Sequence, residues 1–199
     1  MNKTQLNKNV FSKTALSTLL SAAAAMPLTV SAADYVIDTD GAHASVNFKV
    51  SHLGYSFING RFNDFSGDFS YDADNLSASK ISMTVNTSSL DSNHAERDKH
   101  LTGNRFINAS KFPEASFTST SVTDLGDGKL SLEGDMTLYG VTKPITVDAT
   151  FIGEGKDPWG GYRAGFMGTT RLELADFGIP VSGASSYVLL EVQVEGVRK

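Results

Sequence analysis

Apolar residues recur at every second position through most of the chain. Ala44, Val46, Phe48 and Val50 alternate with His43, Ser45, Asn47, Lys49 and Ser51, and Ile81, Met83 and Val85 alternate with Ser82, Thr84 and Asn86. The same period runs through residues 130–138, 145–151, 164–174 and 188–194. Successive side chains of a strand point to opposite faces, so this period predicts strands with one apolar and one polar face. One-sided strands of this kind belong to antiparallel sheets, because strands buried on both faces read as continuous apolar runs.

The punctuation between the strands fits hairpins. Leu125-Gly126-Asp127-Gly128 and Tyr139-Gly140-Val141-Thr142-Lys143-Pro144 are too short for a crossover to a parallel neighbour. Between 57 and 71, Ile58, Gly60 and Phe62 share one parity, whereas Phe65, Gly67, Phe69 and Tyr71 share the other. The strand therefore shifts register near Asn63-Asp64, where a β-bulge would bend it around a corner. Only residues 94–102 read as a helix, with Asn93 as its cap, Glu96 three residues on, and Gly103 as a left-handed end. A second short turn is expected over 104–109.

No internal repeat or linker divides the chain, so these elements describe one domain. The expected architecture is all-β: a closed antiparallel barrel of about eight strands with a short helical insertion around 94–102. A sandwich is the competing arrangement. Long strands, the proposed bulge, and inward positions that alternate bulky with small (Phe166 then Gly168, Leu132 then Gly134) favour the barrel. Its apolar inward set would either fill the interior or surround one apolar ligand.

Composition narrows what such a domain can do. The 199 residues include no cysteine, which removes disulfides, thiol nucleophiles, iron–sulfur clusters, cysteine-ligated zinc and a lipidated cysteine anchor. With 17 Lys and Arg against 22 Asp and Glu, the charge of −5 disfavours nucleic acid as a partner. The 18 Gly and 12 Phe suit β structure with many turns.

Residues 1–32 carry Lys3, Lys8 and Lys13, no acid, and then an uncharged stretch rich in Ala and Leu that closes on Val30-Ser31-Ala32. This pattern predicts a secretory signal cleaved before Ala33, leaving a domain over 33–199. Ser17, Thr18, Ser21, Pro27 and Thr29 interrupt the apolar run, which falls short of the ~20 strongly apolar residues that a bilayer core demands. No integral membrane segment is expected in the mature chain, whose 14 cations and 22 acids give a charge of −8.

Ordered blocks then carry a resemblance. They are Ala33-Asp34-Tyr35-Val36-Ile37-Asp38, His43-Ala44-Ser45-Val46-Asn47-Phe48, Ser51-His52-Leu53-Gly54-Tyr55, Gly60-Arg61-Phe62-Asn63-Asp64-Phe65-Ser66-Gly67, Asn93-His94-Ala95-Glu96-Arg97-Asp98-Lys99-His100-Leu101, Phe112-Pro113-Glu114-Ala115-Ser116-Phe117, Leu138-Tyr139-Gly140-Val141-Thr142-Lys143-Pro144, Asp157-Pro158-Trp159-Gly160-Gly161 and Arg163-Ala164-Gly165-Phe166. Together they closely resemble the YceI-like family of periplasmic proteins. The resemblance implies a lipocalin-like, eight-stranded antiparallel β-barrel in the periplasm. Its pore would hold a long-chain apolar lipid such as a polyisoprenoid, an isoprenoid quinone or a fatty-acid amide. No catalysis and no cofactor are implied, and whether two barrels pair stays open.

An apolar tunnel needs large apolar side chains in its wall, so the lining candidates are Phe48, Val50, Phe62, Phe69, Met83, Phe117, Met136, Phe166 and Leu190. Each could equally be ordinary core filling. His52 is the candidate polar group at the mouth, against the alternative of a histidine satisfied by backbone or water. His43, nine residues earlier, would face the other side of an unbroken strand. Trp159 lies in a turn signal and would serve as a lid or a hairpin anchor.

His94, Glu96, Asp98 and His100 look like a metal or acid/base cluster and carry the alternative of an enzyme. On a helix, however, His94 pairs with Asp98 and Glu96 with His100 in different directions, and a zincin spacing is absent. The simpler expectation is that Arg97 and Asp98 anchor the helix against the barrel. No Gly-x-Ser-x-Gly or phosphate-cradling loop is present, and Asp72 and Asp74 fall in a turn where carboxylates cap backbone. A ligand-free interaction domain with a filled barrel is the third alternative.

Overall fold

The computed structural model describes Met1 and residues 32–199; the expected signal peptide falls outside the described residues. Eleven strands are β1 (Ala33–Ile37), β2 (Ser45–His52), β3 (Ser56–Phe62), β4 (Phe65–Tyr71), β5 (Lys80–Asn86), β6 (Leu90–Asp91), β7 (Glu114–Gly126), β8 (Lys129–Leu138), β9 (Val141–Lys156), β10 (Tyr162–Glu173) and β11 (Tyr187–Arg198). They pair in the order β1-β4-β5-β7-β8-β9-β10-β11, and β1 returns to β11 to close a ring of eight. Every pairing is antiparallel. Beyond the short β1, β2 continues along β11, β3 continues along β2, and β6 pairs with β3. Thus β1/β2, β3/β4 and β5/β6 are each one interrupted strand of the barrel wall. Pairing of β1 with β11 covers the two edges at which an open sheet would begin and end.

The break between β3 and β4 falls at Asn63-Asp64, where the parity of the sequence changes. Phe62 faces Val46 and Leu90, whereas Phe65 faces Val85. The interrupted backbone stays satisfied: Asn63 N–H donates to the Ser89 carbonyl (3.1 Å) and Asp64 N–H to Ser89 Oγ (3.0 Å). The bend therefore costs no hydrogen bonds at that corner.

Asp127 and Gly128 turn β7 into β8 with φ of 53° and 73°, and Tyr139 and Gly140 turn β8 into β9 with 56° and 74°. Both are two-residue turns with positive φ at each central residue, whose twist suits flanking strands. The second link is shorter than the sequence suggests, since Val141 to Pro144 already belong to β9. Pro144 is tolerated because the β9–β10 ladder begins only at Asp148, opposite Thr169. Before that point β9 has β8 on one side alone, so a missing N–H breaks no bond toward β10.

The helix α1 spans Ala95–Leu101, and its cap is His94 rather than Asn93. Asn93 instead takes φ 62° and its N–H donates to Asp91 (2.8 Å), so the chain turns one residue before the helix starts. The helix ends on Thr102 in a right-handed conformation, held by its hydroxyl on the Asp98 carbonyl (2.8 Å). Gly103 is thus not the left-handed end that the sequence suggested. Residues 104–109 form the expected turns.

Two apolar clusters lie at opposite ends of β8. Near its start, Leu130 packs with Val122 and Ala149 under Leu76, which belongs to a short turn over Leu76–Ala78. Near its finish, Leu138 packs with Ala115, Leu172, Phe177 and Ile179. Phe177 and Ile179 come from the β10–β11 connection, which Ser185 Oγ ties to the Ser51 carbonyl of β2 (2.6 Å).

Candidate functional site

Between these clusters the barrel holds a cavity of about 150 Å³. Its wall takes Phe69 and Tyr71 from β4, Ile81, Met83 and Val85 from β5, Phe117 and Val122 from β7, Leu132 and Met136 from β8, Ile145 and Val147 from β9, Phe166 from β10, and Leu190, Val192 and Val194 from β11. Alternation along each strand puts these side chains inside and their polar neighbours outside. Of the nine lining candidates, Phe69, Met83, Phe117, Met136, Phe166 and Leu190 stand in this wall. Phe48, Val50 and Phe62 belong to the β2–β3 extension. There the Phe48 ring lies over Gly60, where an added Cβ would approach it to 2.2 Å, and packs 5.8 Å from Phe62.

Aromatic rings crowd the end of the cavity nearer β1. Phe166 meets Phe69 (5.7 Å), Tyr71 (5.2 Å) and Phe151 (5.3 Å), while Tyr35 stacks on Phe69 at 4.8 Å. Glu154, exposed on β9, lies opposite Ala164 in the β9–β10 pair. Burial pushes the Tyr35 and Tyr71 hydroxyls up, and the Glu154 carboxylate adds to both shifts. Both phenols therefore stay protonated and able to donate.

Outside the wall an ion cluster ties four strand ends together. Arg163 of β10 donates to Asp38 after β1 (2.6 Å), Glu195 of β11 (2.7 Å) and Asp157 after β9 (2.8 Å). His43 Nδ1 donates to Asp38 (3.0 Å), and Gly41 N–H donates to the same carboxylate (2.8 Å). Asp38, His43 and Glu195 bring ligand atoms within 4.8 Å of one another, but the guanidinium already fills a cation's place. Sequence reading missed this cluster because its members are far apart in the chain, Asp38 and Arg163 by 125 residues. Only closure of β1 onto β11 brings them together.

The hydrogen bond from His43, then that from Arg163, holds the Asp38 carboxyl well below the usual carboxylate range, and Asp157 is lowered first by Arg163. A carboxyl depressed on folding stabilises the barrel above its unfolded pKa of about 4 and loses that contribution as pH falls below it. Asp38→Asn should therefore be less stable than wild type at neutral pH and lose less on acidification below about pH 4. Urea midpoints measured across that window check this; parallel curves would contradict it.

A family model described as the YceI-like domain matches residues 35–196, from β1 into β11. The chain belongs to the YceI-like family. Among its YceI-like relatives, a UPF0312 protein of Vibrio vulnificus is 66% identical over 187 residues, covering 94% of this chain and 99% of that one. A crystal structure of the Campylobacter jejuni YCEI protein superposes with a TM-score of 0.67 at 29% identity, over 76% of this chain and 91% of that one. A polyisoprenoid binding domain from Saccharophagus degradans shares the fold, with a TM-score of 0.60 at 13% identity over 85% and 100% of the two chains.

The helical block of this YceI-like chain is structural in its contacts. His94 Nδ1 accepts the Arg97 N–H (3.3 Å) as the helix cap. Asp98 accepts the Ser92 N–H (2.8 Å) and hydroxyl, and Arg97 donates to Ser92 Oγ (2.8 Å) and carbonyl. Ser92 is buried directly after β6, so Arg97 and Asp98 fix the start of α1 to the link that leaves that strand. His52 is exposed at the end of β2, outside the cavity lining. Trp159 is exposed on the β9–β10 turn, where Asp157 accepts its N–H (3.0 Å) and the Arg163 guanidinium lies 5.8 Å from its ring.

Proposed function

We propose that this YceI-like protein is exported to the periplasm and holds a long-chain apolar lipid inside its barrel, without covalent chemistry. The observation that carries the reading is the mostly apolar cavity inside the ring of eight strands. Such a space has no use for water, which needs polar partners, and favours a ligand in proportion to the apolar area it removes from solvent. A polyisoprenoid, an isoprenoid quinone or a fatty-acid amide supplies that area. The name of the Saccharophagus degradans domain, which shares the fold, supports the isoprenoid class.

An apolar cavity of about 150 Å³ takes a group on the scale of benzene. A longer chain needs side chains to move, and Met83 and Met136 in the wall have the flexible stems for it. Among the described residues no helix is long and apolar enough to cross a membrane. The charge pattern of residues 1–32 supports an export signal.

The test is gentle solvent extraction of protein released by osmotic shock, followed by mass spectrometry. A stoichiometric lipid and an N-terminus at Ala33 are expected. A periplasmic preparation that carries no lipid and takes up none when offered would overturn the reading.

A further inference from the structure

Ser79 follows the Leu76–Ala78 turn, immediately before β5, and lines the cavity. Its hydroxyl is buried with no hydrogen-bond partner, and among the described residues it is the one buried side-chain polar atom left in that state. Its surroundings show that this is not a general property of the wall. Thr170 also lines the cavity, and its hydroxyl donates to the Thr146 carbonyl (2.7 Å). Ser77, two residues before Ser79, donates to Asn75 Oδ1 (2.7 Å). The Ser79 main chain is itself engaged, since its N–H donates to the Leu76 carbonyl (3.0 Å).

A buried hydroxyl without a partner opposes folding, whereas an alanine there would not. Its position at a mostly apolar wall, where Thr170 already has its partner, gives it one use that the empty barrel lacks. We propose that Ser79 is a specificity-determining residue of the lipid site: its hydroxyl hydrogen-bonds a polar group at one end of the bound chain. The ligand class is then a long chain with a terminal hydroxyl, carbonyl or amide, rather than a plain hydrocarbon. That head lies beside the Leu76–Ala78 turn, and the tail runs along β8 toward Phe177.

This inference rests on the lipid-binding reading above, and one experiment separates the two. Phytol and phytane carry the same branched chain with and without a terminal hydroxyl. Their affinities are measured for the wild-type protein and for Ser79→Ala, together with the melting of each protein free of ligand. Ser79→Ala is expected to weaken phytol binding about fivefold, the ordinary worth of one hydrogen bond. Phytane binding should be unchanged, and the ligand-free variant should melt no lower than wild type. Because the wild-type-to-variant ratio is taken for each ligand, differences in their solubility cancel. Phytane also reports whether the variant keeps its cavity. Equal phytol binding by both proteins, or equal losses for phytol and phytane, would overturn the role of Ser79. Failure of the wild-type protein to bind either ligand would instead overturn the lipid-binding reading, and this inference with it.

Discussion

Phe166→Asp is expected to strip the barrel of its lipid and to lower its stability more than any surface change. The Phe166 ring meets Phe69, Tyr71 and Phe151 within 5.7 Å, and it lines the cavity between them. Truncating a buried Phe costs about 3–5 kcal/mol, and the aromatic pairs lost contribute about 0.5–1.5 kcal/mol each within that total. The new carboxylate would lie among the Phe69, Tyr71 and Phe151 rings, where burial makes its ionisation unfavourable. It must either stay protonated or draw water into the cavity, and both outcomes disfavour an apolar chain. Phe166→Leu keeps the site apolar and is the matching control, expected to fold and to retain lipid. Extraction with mass spectrometry and thermal melting, run on both variants, check this. A folded Phe166→Asp protein with a full complement of lipid would remove Phe166 from the site.

The same residues show how far a sequence reaches. Strands such as β5 and β8 were legible because each has one face inside and one outside, so burial imposes a strict period of two. The strand β7 escaped that pattern: its Ser- and Thr-rich run Ser119-Thr120-Ser121 holds a register shift, and a second shift lies between Asp124 and Gly126. Each shift inserts a residue and resets the parity, so alternation fails although the pairing continues. The corner at Asn63-Asp64 was legible for the opposite reason, since bulky residues on both sides expose the change of parity.

Lining residues are harder to read than strands. Parity says that Phe48 and Phe69 both face inward, but not that Phe48 packs over Gly60 in the β2–β3 extension while Phe69 stands in the cavity wall. Height along the barrel depends on strand stagger, which the sequence carries only through distant pairings. Ser79 was invisible for a related reason. A serine in a turn is ordinary until its hydroxyl is found buried without a partner in a residue that lines the cavity.

Phe177→Ala is expected to destabilise the empty barrel about as much as a change at Phe166, by about 3–5 kcal/mol, yet to act on the lipid in the opposite direction. Phe177 is 1% exposed and plugs the end of the barrel where Leu138, Leu172 and Ile179 meet. Met136, Ile145 and Leu190 pack against this plug and also line the cavity, so removing the ring adds its volume to the space a chain can fill. In the wild-type protein a chain longer than the closed cavity must displace part of the plug, and that cost falls on affinity. The variant has already lost those contacts. Added long-chain lipid should therefore raise its melting midpoint by more than it raises the wild type's, following the linkage between binding and folding. A short lipid that fits the closed cavity should shift both proteins alike. Melting with a short and a long isoprenoid alcohol distinguishes the cases. If Phe177→Ala gained nothing extra from the longer chain, this end of the barrel would be a fixed wall, and a long ligand would have to leave by the end beneath Leu76.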